Sequence, residues 1–221
     1  MHFYPGEKLV YDITWNGIKV GESISYVKGL AEISGHKTYH MVSETYSTGI
    51  ADLLFKVRDY EESFIDSERY YSWYYKKDLN EGKLHSKGEF IFDSKRETVI
   101  TPGGKYSITA DCQDPISVLI FFRFFKFDID DNICLNFVTE TGIKTLDGKV
   151  MGEEIIDVPS GTFDTRSVKF YIRSGSSDQL RLSRETWIWF AYKNGTFPVL
   201  IKFKTKFGYV KCQLKKYKTK M

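Results

Sequence analysis

Lys8-Leu9-Val10-Tyr11-Asp12-Ile13-Thr14-Trp15-Asn16-Gly17-Ile18-Lys19-Val20-Gly21 is the stretch that decides the fold. Leu9, Tyr11, Ile13 and Trp15 alternate with Val10, Asp12 and Thr14, the period-two pattern of a strand with two unlike faces. Asn16-Gly17 follows, two residues that accept the positive φ values a type I′ turn requires. The return strand carries Ile18, Val20, Ile24 and Tyr26 at even spacing, with Gly21 marking a bulge or bend. The chain therefore opens on a β-hairpin.

The same grammar repeats outward from this hairpin. Strand-like runs cover residues 39–48, 56–66, 70–77, 84–92, 96–101 and 106–110, and then 132–139, 143–146, 149–158, 163–173, 180–192, 199–207 and 209–217. Between them lie Gly-, Pro-, Asn- and Ser-rich turns, including Pro102-Gly103-Gly104, Asp147-Gly148, Pro159-Ser160-Gly161, Ser174-Gly175-Ser176-Ser177 and Asn194-Gly195. Such spacing predicts an all-β, antiparallel barrel or sandwich of roughly fifteen strands. Residues 49–54 read as one short helical turn. The longer helix is predicted over 115–126, where Asp114 is a favoured N-cap and Pro115 a favoured first residue. Its apolar content demands burial, and a buried strand is the competing reading of so short a run. No linker or repeat divides the chain, so residues 1–221 read as a single all-β domain. The helix would separate half-sheets 1–111 and 131–221.

Composition narrows the function classes. Lys plus Arg number 32 against 29 Asp plus Glu, a net charge of +3, which gives no reason to expect nucleic acid. The basic run Lys215–Lys220 reads as a solvated tail. Cys112, Cys134 and Cys212 are too scattered for a metal-binding pair, and an odd number excludes complete pairing; buried free thiols are expected. His36 and His40 stand four apart, but in extended chain that spacing spans more than about 10 Å, too far for one ion. His2 lies by the terminus. No metal or cofactor is expected. No window resembles a membrane span, and no basic start followed by an apolar run marks a signal peptide in residues 1–30. The abrupt entry into a strand fits a mature exported chain.

Nor does any catalytic constellation stand out, so an enzyme is not expected. The Ser174–Ser177 run reads as a hairpin tip, and Asp59, Glu61, Glu62 and Asp66 as a solvated or salt-bridged strand face. The Tyr70-Tyr71-Ser72-Trp73-Tyr74-Tyr75 run is aromatic on both faces. It reads either as cross-strand pairing or as a surface for an apolar ligand. The candidate lining is Trp15, Tyr71, Trp73, Tyr75, Phe122 and Phe125.

Gly6-Glu7-Lys8-Leu9-Val10-Tyr11-Asp12-Ile13 with Trp15–Gly21, Val158-Pro159-Ser160-Gly161-Thr162-Phe163-Asp164, Asn194–Val199 and the closing Phe207–Leu214 together resemble, in order, the bacterial domain of unknown function numbered 3108. The resemblance spans most of the chain. It implies an exported, periplasmic or envelope-associated bacterial protein with no known activity. It also implies an open, strongly curved β-barrel or half-barrel crossed by one short buried helix, similar to lipoprotein carriers. The leading expectation is a non-enzymatic protein that binds an apolar or lipid-like ligand in a concave β surface. The alternatives are a structural or interaction module docking an envelope protein and, third, a glycan hydrolase acting through Asp59, Glu61 or Asp66.

Overall fold

A computed structural model describes residues 3–93, 95, 97–124, 128–173, 183–193 and 195–218. The first half of the chain forms β1 (Lys8–Trp15), β2 (Ile18–Ile33), β3 (His36–Ser47), α1 (Gly49–Leu54), β4 (Arg58–Asp66), β5 (Ser72–Glu81), β6 (Leu84–Asp93), β7 (Thr98–Thr101) and β8 (Gly104–Ser107). After α2 (Pro115–Phe124) come β9 (Asn132–Thr139), β10 (Gly142–Val158), β11 (Gly161–Arg173), β12 (Ser183–Ala191), β13 (Phe197–Thr205) and β14 (Gly208–Lys218). Fourteen antiparallel strands make one curved, unclosed sheet, against the roughly fifteen expected from spacing. The helix reading of 115–124 holds over the buried-strand alternative. His2, Phe125, the Ser174–Ser177 tip, Asn194, Thr219 and Lys220 lie outside the described residues. Among the described residues, no helix is long and apolar enough to cross a membrane.

The topology is two meanders joined back to back. The order runs β8-β7-β6-β5-β4-β3-β2-β1-β14-β13-β12-β11-β10-β9, so β1 pairs with β14 and the edges are β8 and β9. The edges meet through the segment leading into α2. Gln113 N donates to Asn136 O, and Val138 N donates to Gln113 O, each at 2.9 Å. Seven of the thirteen strand pairings shift register. Each such shift bends its strand and raises the local twist, which curls the sheet into a trough. The opening turn is as the sequence predicts, with φ of 47° at Asn16 and 88° at Gly17. Between β1 and β2 the extra residue is Val20, beside Gly21. A Cβ on Gly21 would sit 2.5 Å from Tyr46 O, so only glycine allows β2 and β3 to approach there.

The helix α2 lies across the trough and packs on both meanders. Val118 and Phe122 join Ile133, Leu135, Val150, Phe170 and Phe190 of the second. On the other flank, Ile116, Ile120 and Phe124 pack against Phe3, Val27, Tyr39, Met41 and Ile65. Its N-terminus is fixed by a fully buried Asp114. Asp114 Oδ1 accepts from the backbone N–H of Ile116 at 2.7 Å and of Ser117 at 2.9 Å. Its Oδ2 accepts from Ser63 on β4 and Ser72 on β5, both at 2.5 Å. One carboxyl thus caps the helix and bolts it to the sheet. Asp114→Ala is expected to lower stability by about 2–4 kcal/mol in a urea melt, because it removes the cap and takes a buried acceptor from the Ser63 and Ser72 hydroxyls. A loss below about 1 kcal/mol, the size of an exposed cap, would show the bolt to be unimportant.

Candidate functional site

Both ends of α2 are pinned, and the space beneath its middle is not filled by side chains. At the C-terminal end the buried Arg123 forms an ion pair with the buried Glu7. The Arg123 guanidinium also lies 4.6 Å over the Phe3 ring. Phe3 in turn meets Tyr39 and Phe124 edge-on at 5.2 and 5.3 Å. Burial lowers the Arg123 pKa to about 10, so the group stays charged at neutral pH.

Between these anchors is a cavity of about 160 Å³, set against the seam where β1 meets β14. Leu119 and Ile120 of α2 form its roof. Leu9 and Tyr11 of β1, with Ile201 and Cys212 of β13 and β14, supply apolar wall. The floor is made of small residues: Ser25 on β2 stands directly opposite Ser43 on β3. Closing such a volume with side chains is worth about 4 kcal/mol, at roughly 24 cal/mol per Å³. The chain forgoes that packing. A cavity of similar size, about 150 Å³, accommodates a benzene-sized apolar molecule.

Polar groups at the margin are few. Glu7 Oε2 and Arg123 Nε border the cavity and have no hydrogen-bond partner. Glu61 of β4 also borders it and accepts a hydrogen bond from Tyr75 Oη. Burial pushes the Glu61 carboxyl above its usual range; the Tyr75 bond opposes this and the Asp114 charge adds to it. Burial likewise raises Asp114, and lifts the Cys212 thiol to about 12.

The described residues of the sequence-predicted lining, Trp15, Tyr71, Trp73, Tyr75 and Phe122, fall elsewhere. Trp15 is 42% exposed at the tip of β1. Tyr71 and Trp73 are buried, with rings 5.4 Å apart, but neither borders the cavity. The register shift between Phe64 and Ile65 of β4 explains Trp73. Ser72 reaches inward to Asp114, whereas Trp73 stacks on His36 at 3.8 Å and donates to Asp66 at 2.9 Å, on the outer side with the Tyr74–Phe64 pair. Alternation then resumes, so Tyr75 points inward to Glu61. Phe122 lines a smaller pocket of about 100 Å³ with Val118, Phe170 and Ile188.

The other candidate groups have mostly structural partners. His40 pairs with Glu62 at 2.9 Å and His36 with Trp73, so the two histidines engage separate neighbours. Asp59 accepts from the backbone of Asn80, and Asp66 from those of Glu68 and Arg69. Glu61 departs from the expected solvated or salt-bridged face by turning inward. Of the thiols, all free, Cys112 is buried as expected but Cys134 is exposed and Cys212 half-buried. The cavity residues Ser25, Ser43, Leu119, Ile120 and Arg123 were not singled out by sequence reasoning. Their one available signal is the pair of small residues in strands otherwise rich in large ones.

A family model described as a protein of unknown function, DUF3108, matches residues 10–215. No curated protein matches the chain. A beta-barrel-like protein of the domain of unknown function DUF1849 from Brucella abortus aligns over 100% of both chains, with a TM-score of 0.63 and 9% identity. At that identity the likeness shows the fold alone. A Bacteroides fragilis protein assigned as exported, with a YmcC-like fold, aligns over 99% of both chains at a TM-score of 0.45 and 11% identity. A Parabacteroides distasonis protein assigned as a lipoprotein aligns over 98% of both at 0.43 and 13%.

The raised Glu61 pKa has a consequence for stability. A carboxyl that binds its proton more tightly when folded contributes stability that is complete below the unfolded value, about 4.3, and is lost as pH rises through the folded value. Glu61→Gln is therefore expected to gain stability relative to the native chain as pH rises from about 4 toward neutrality. Urea midpoints across that range check this; parallel curves for the two proteins would contradict it.

Proposed function

The chain belongs to the DUF3108 family of proteins of unknown function, and for this member we propose a binding role: it holds an apolar or lipid-like molecule between α2 and the curved sheet. The observation that carries this reading is the cavity of about 160 Å³ beneath a helix pinned at both ends. Its wall is mainly aliphatic and aromatic, and its floor is kept low by Ser25 and Ser43. That is the usual make-up of a site for an apolar ligand with a small polar part. The volume suits a ring or a short acyl segment.

The binding reading is non-enzymatic. Asp59 and Glu61 share one strand and Asp66 has its own loop to hold, so this grouping offers no pair of carboxylates facing across a cleft, as glycan hydrolysis requires. The same proposal places the protein outside the cytoplasm. The ordered stretches from Gly6–Gly21 to Phe207–Leu214, whose resemblance implies export, support that location.

Titration with toluene, an uncharged apolar single-ring molecule, followed by protein NMR shifts, tests the site. Saturable binding is expected, weakened at least about tenfold by Ser25→Phe, which fills the floor. No saturable binding, or equal binding by Ser25→Phe, would overturn the proposal. Cell fractionation of the full-length gene product tests the location: recovery with the cytoplasm would contradict export.

A further inference from the structure

One arc of the rim concentrates exposed apolar side chains. Among the described residues, nine of the sixteen exposed large hydrophobics belong to four consecutive turns at the same end of the sheet. These are the β13–β14, β1–β2, β3–β4 and β5–β6 connections. Phe207 is 71% exposed and Ile18 70%. In α1, Ile50, Leu53 and Leu54 are 77%, 85% and 82% exposed, and the helix buries none of its residues. Core packing therefore does not account for its apolar composition.

The four turns form a continuous surface. Tyr209 N donates to Asn16 Oδ1 at 3.0 Å and Asn16 Nδ2 to Phe207 O at 3.1 Å, joining the first two. Thr48 N donates to Val20 O at 2.9 Å, tying the approach to α1 to β2. Gly82 N donates to Lys56 O at 2.8 Å, joining the last turn to the end of the α1 loop.

Cations outnumber carboxylates on this arc. Segments 14–20, 47–58, 80–85 and 204–211 carry seven Lys or Arg against two carboxylates, Asp52 and Glu81. Asp52 is engaged by Arg58 at 2.7 Å. Aliphatic side chains, Trp15 and Tyr209 thus project from turn tips between lysines. That is the chemistry of a surface that inserts shallowly among lipid headgroups while its cations meet lipid phosphates.

We propose that this arc is a docking surface for an anionic lipid membrane. It rests on a different part of the molecule from the cavity and stands whether or not the cavity binds a ligand. The apolar residues sit on projecting tips rather than in a groove, so they match a soft, flat partner better than a helix or strand of another protein.

Co-sedimentation with phosphatidylcholine vesicles, with and without phosphatidylglycerol, tests this. The chain is expected to sediment with the phosphatidylglycerol vesicles and to be released by raised salt. The Leu53→Asp/Leu54→Asp double variant is expected to bind at least about tenfold more weakly. Both positions are exposed, so the fold survives, as circular dichroism checks; Ile18→Asp, on a separate turn, repeats the test. Failure to sediment with either vesicle, or undiminished binding by both variants, would overturn the proposal. So would concentration-dependent self-association abolished by Leu53→Asp in a chain that ignores vesicles, which would assign the arc to a second copy.

Discussion

The buried carboxyl of Asp114 is the constraint on which the rest of the structure depends. It stops the backbone N–H groups of Ile116 and Ser117 from being orphaned, and it holds two serines from neighbouring strands. Without it, a helix ten residues long with apolar side chains on most sides would have no fixed start and no fixed distance from the sheet. Burial raises the carboxyl's pKa, so keeping it charged there is costly, and the hydrogen bonds offset that cost. The opposite end of α2 is held by a second buried polar contact, Arg123 with Glu7. With both ends fixed, the middle of the helix can bridge a gap. In a small open barrel the interior is normally closed by large residues from every strand. Here β2 and β3 contribute Ser25 and Ser43 at facing positions instead.

The architecture was legible because it rests on local rules. The Asn16-Gly17 turn, the Asp114-Pro115 helix start and the short-turn meander each follow from residue chemistry over a few positions. The site was not legible, for two physical reasons. First, register shifts change which face a residue occupies. Ile18, Val20 and Ile24 are evenly spaced on β2, yet a shift falls at Val20 and Ile24 lies beside Val10 and Lys216 on the outer side. Ser23, Ser25, Tyr26 and Val27 border the cavity. Trp73 was displaced by the same mechanism on β5. Second, a cavity is made by what is missing. Aromatic richness draws attention to Tyr71, Trp73 and Tyr75, whereas an unfilled space is marked by serine, a residue that sequence patterns treat as neutral.

The two proposed surfaces divide the molecule by role. The trough and α2 form an interior in which polar atoms are few and mostly paired. The α1 arc presents apolar side chains outward beside an excess of lysine. Helix α1 and α2 illustrate the difference: one buries no side chain, the other is fixed at both ends. An apolar cargo taken from or delivered to a lipid surface would make use of both features, although each is defined by its own residues. The Phe3–Glu7 segment packs on Arg123 and Phe124 beside the cavity.

The most direct test of the cavity is to locate a bound apolar probe by solution NMR. Intermolecular Overhauser contacts from toluene to the side-chain methyls of Leu9, Leu119 and Ile120 are the predicted result. Contacts confined to Leu53, Leu54 and Ile18 would place the probe on the outer rim and contradict a binding site beneath the helix.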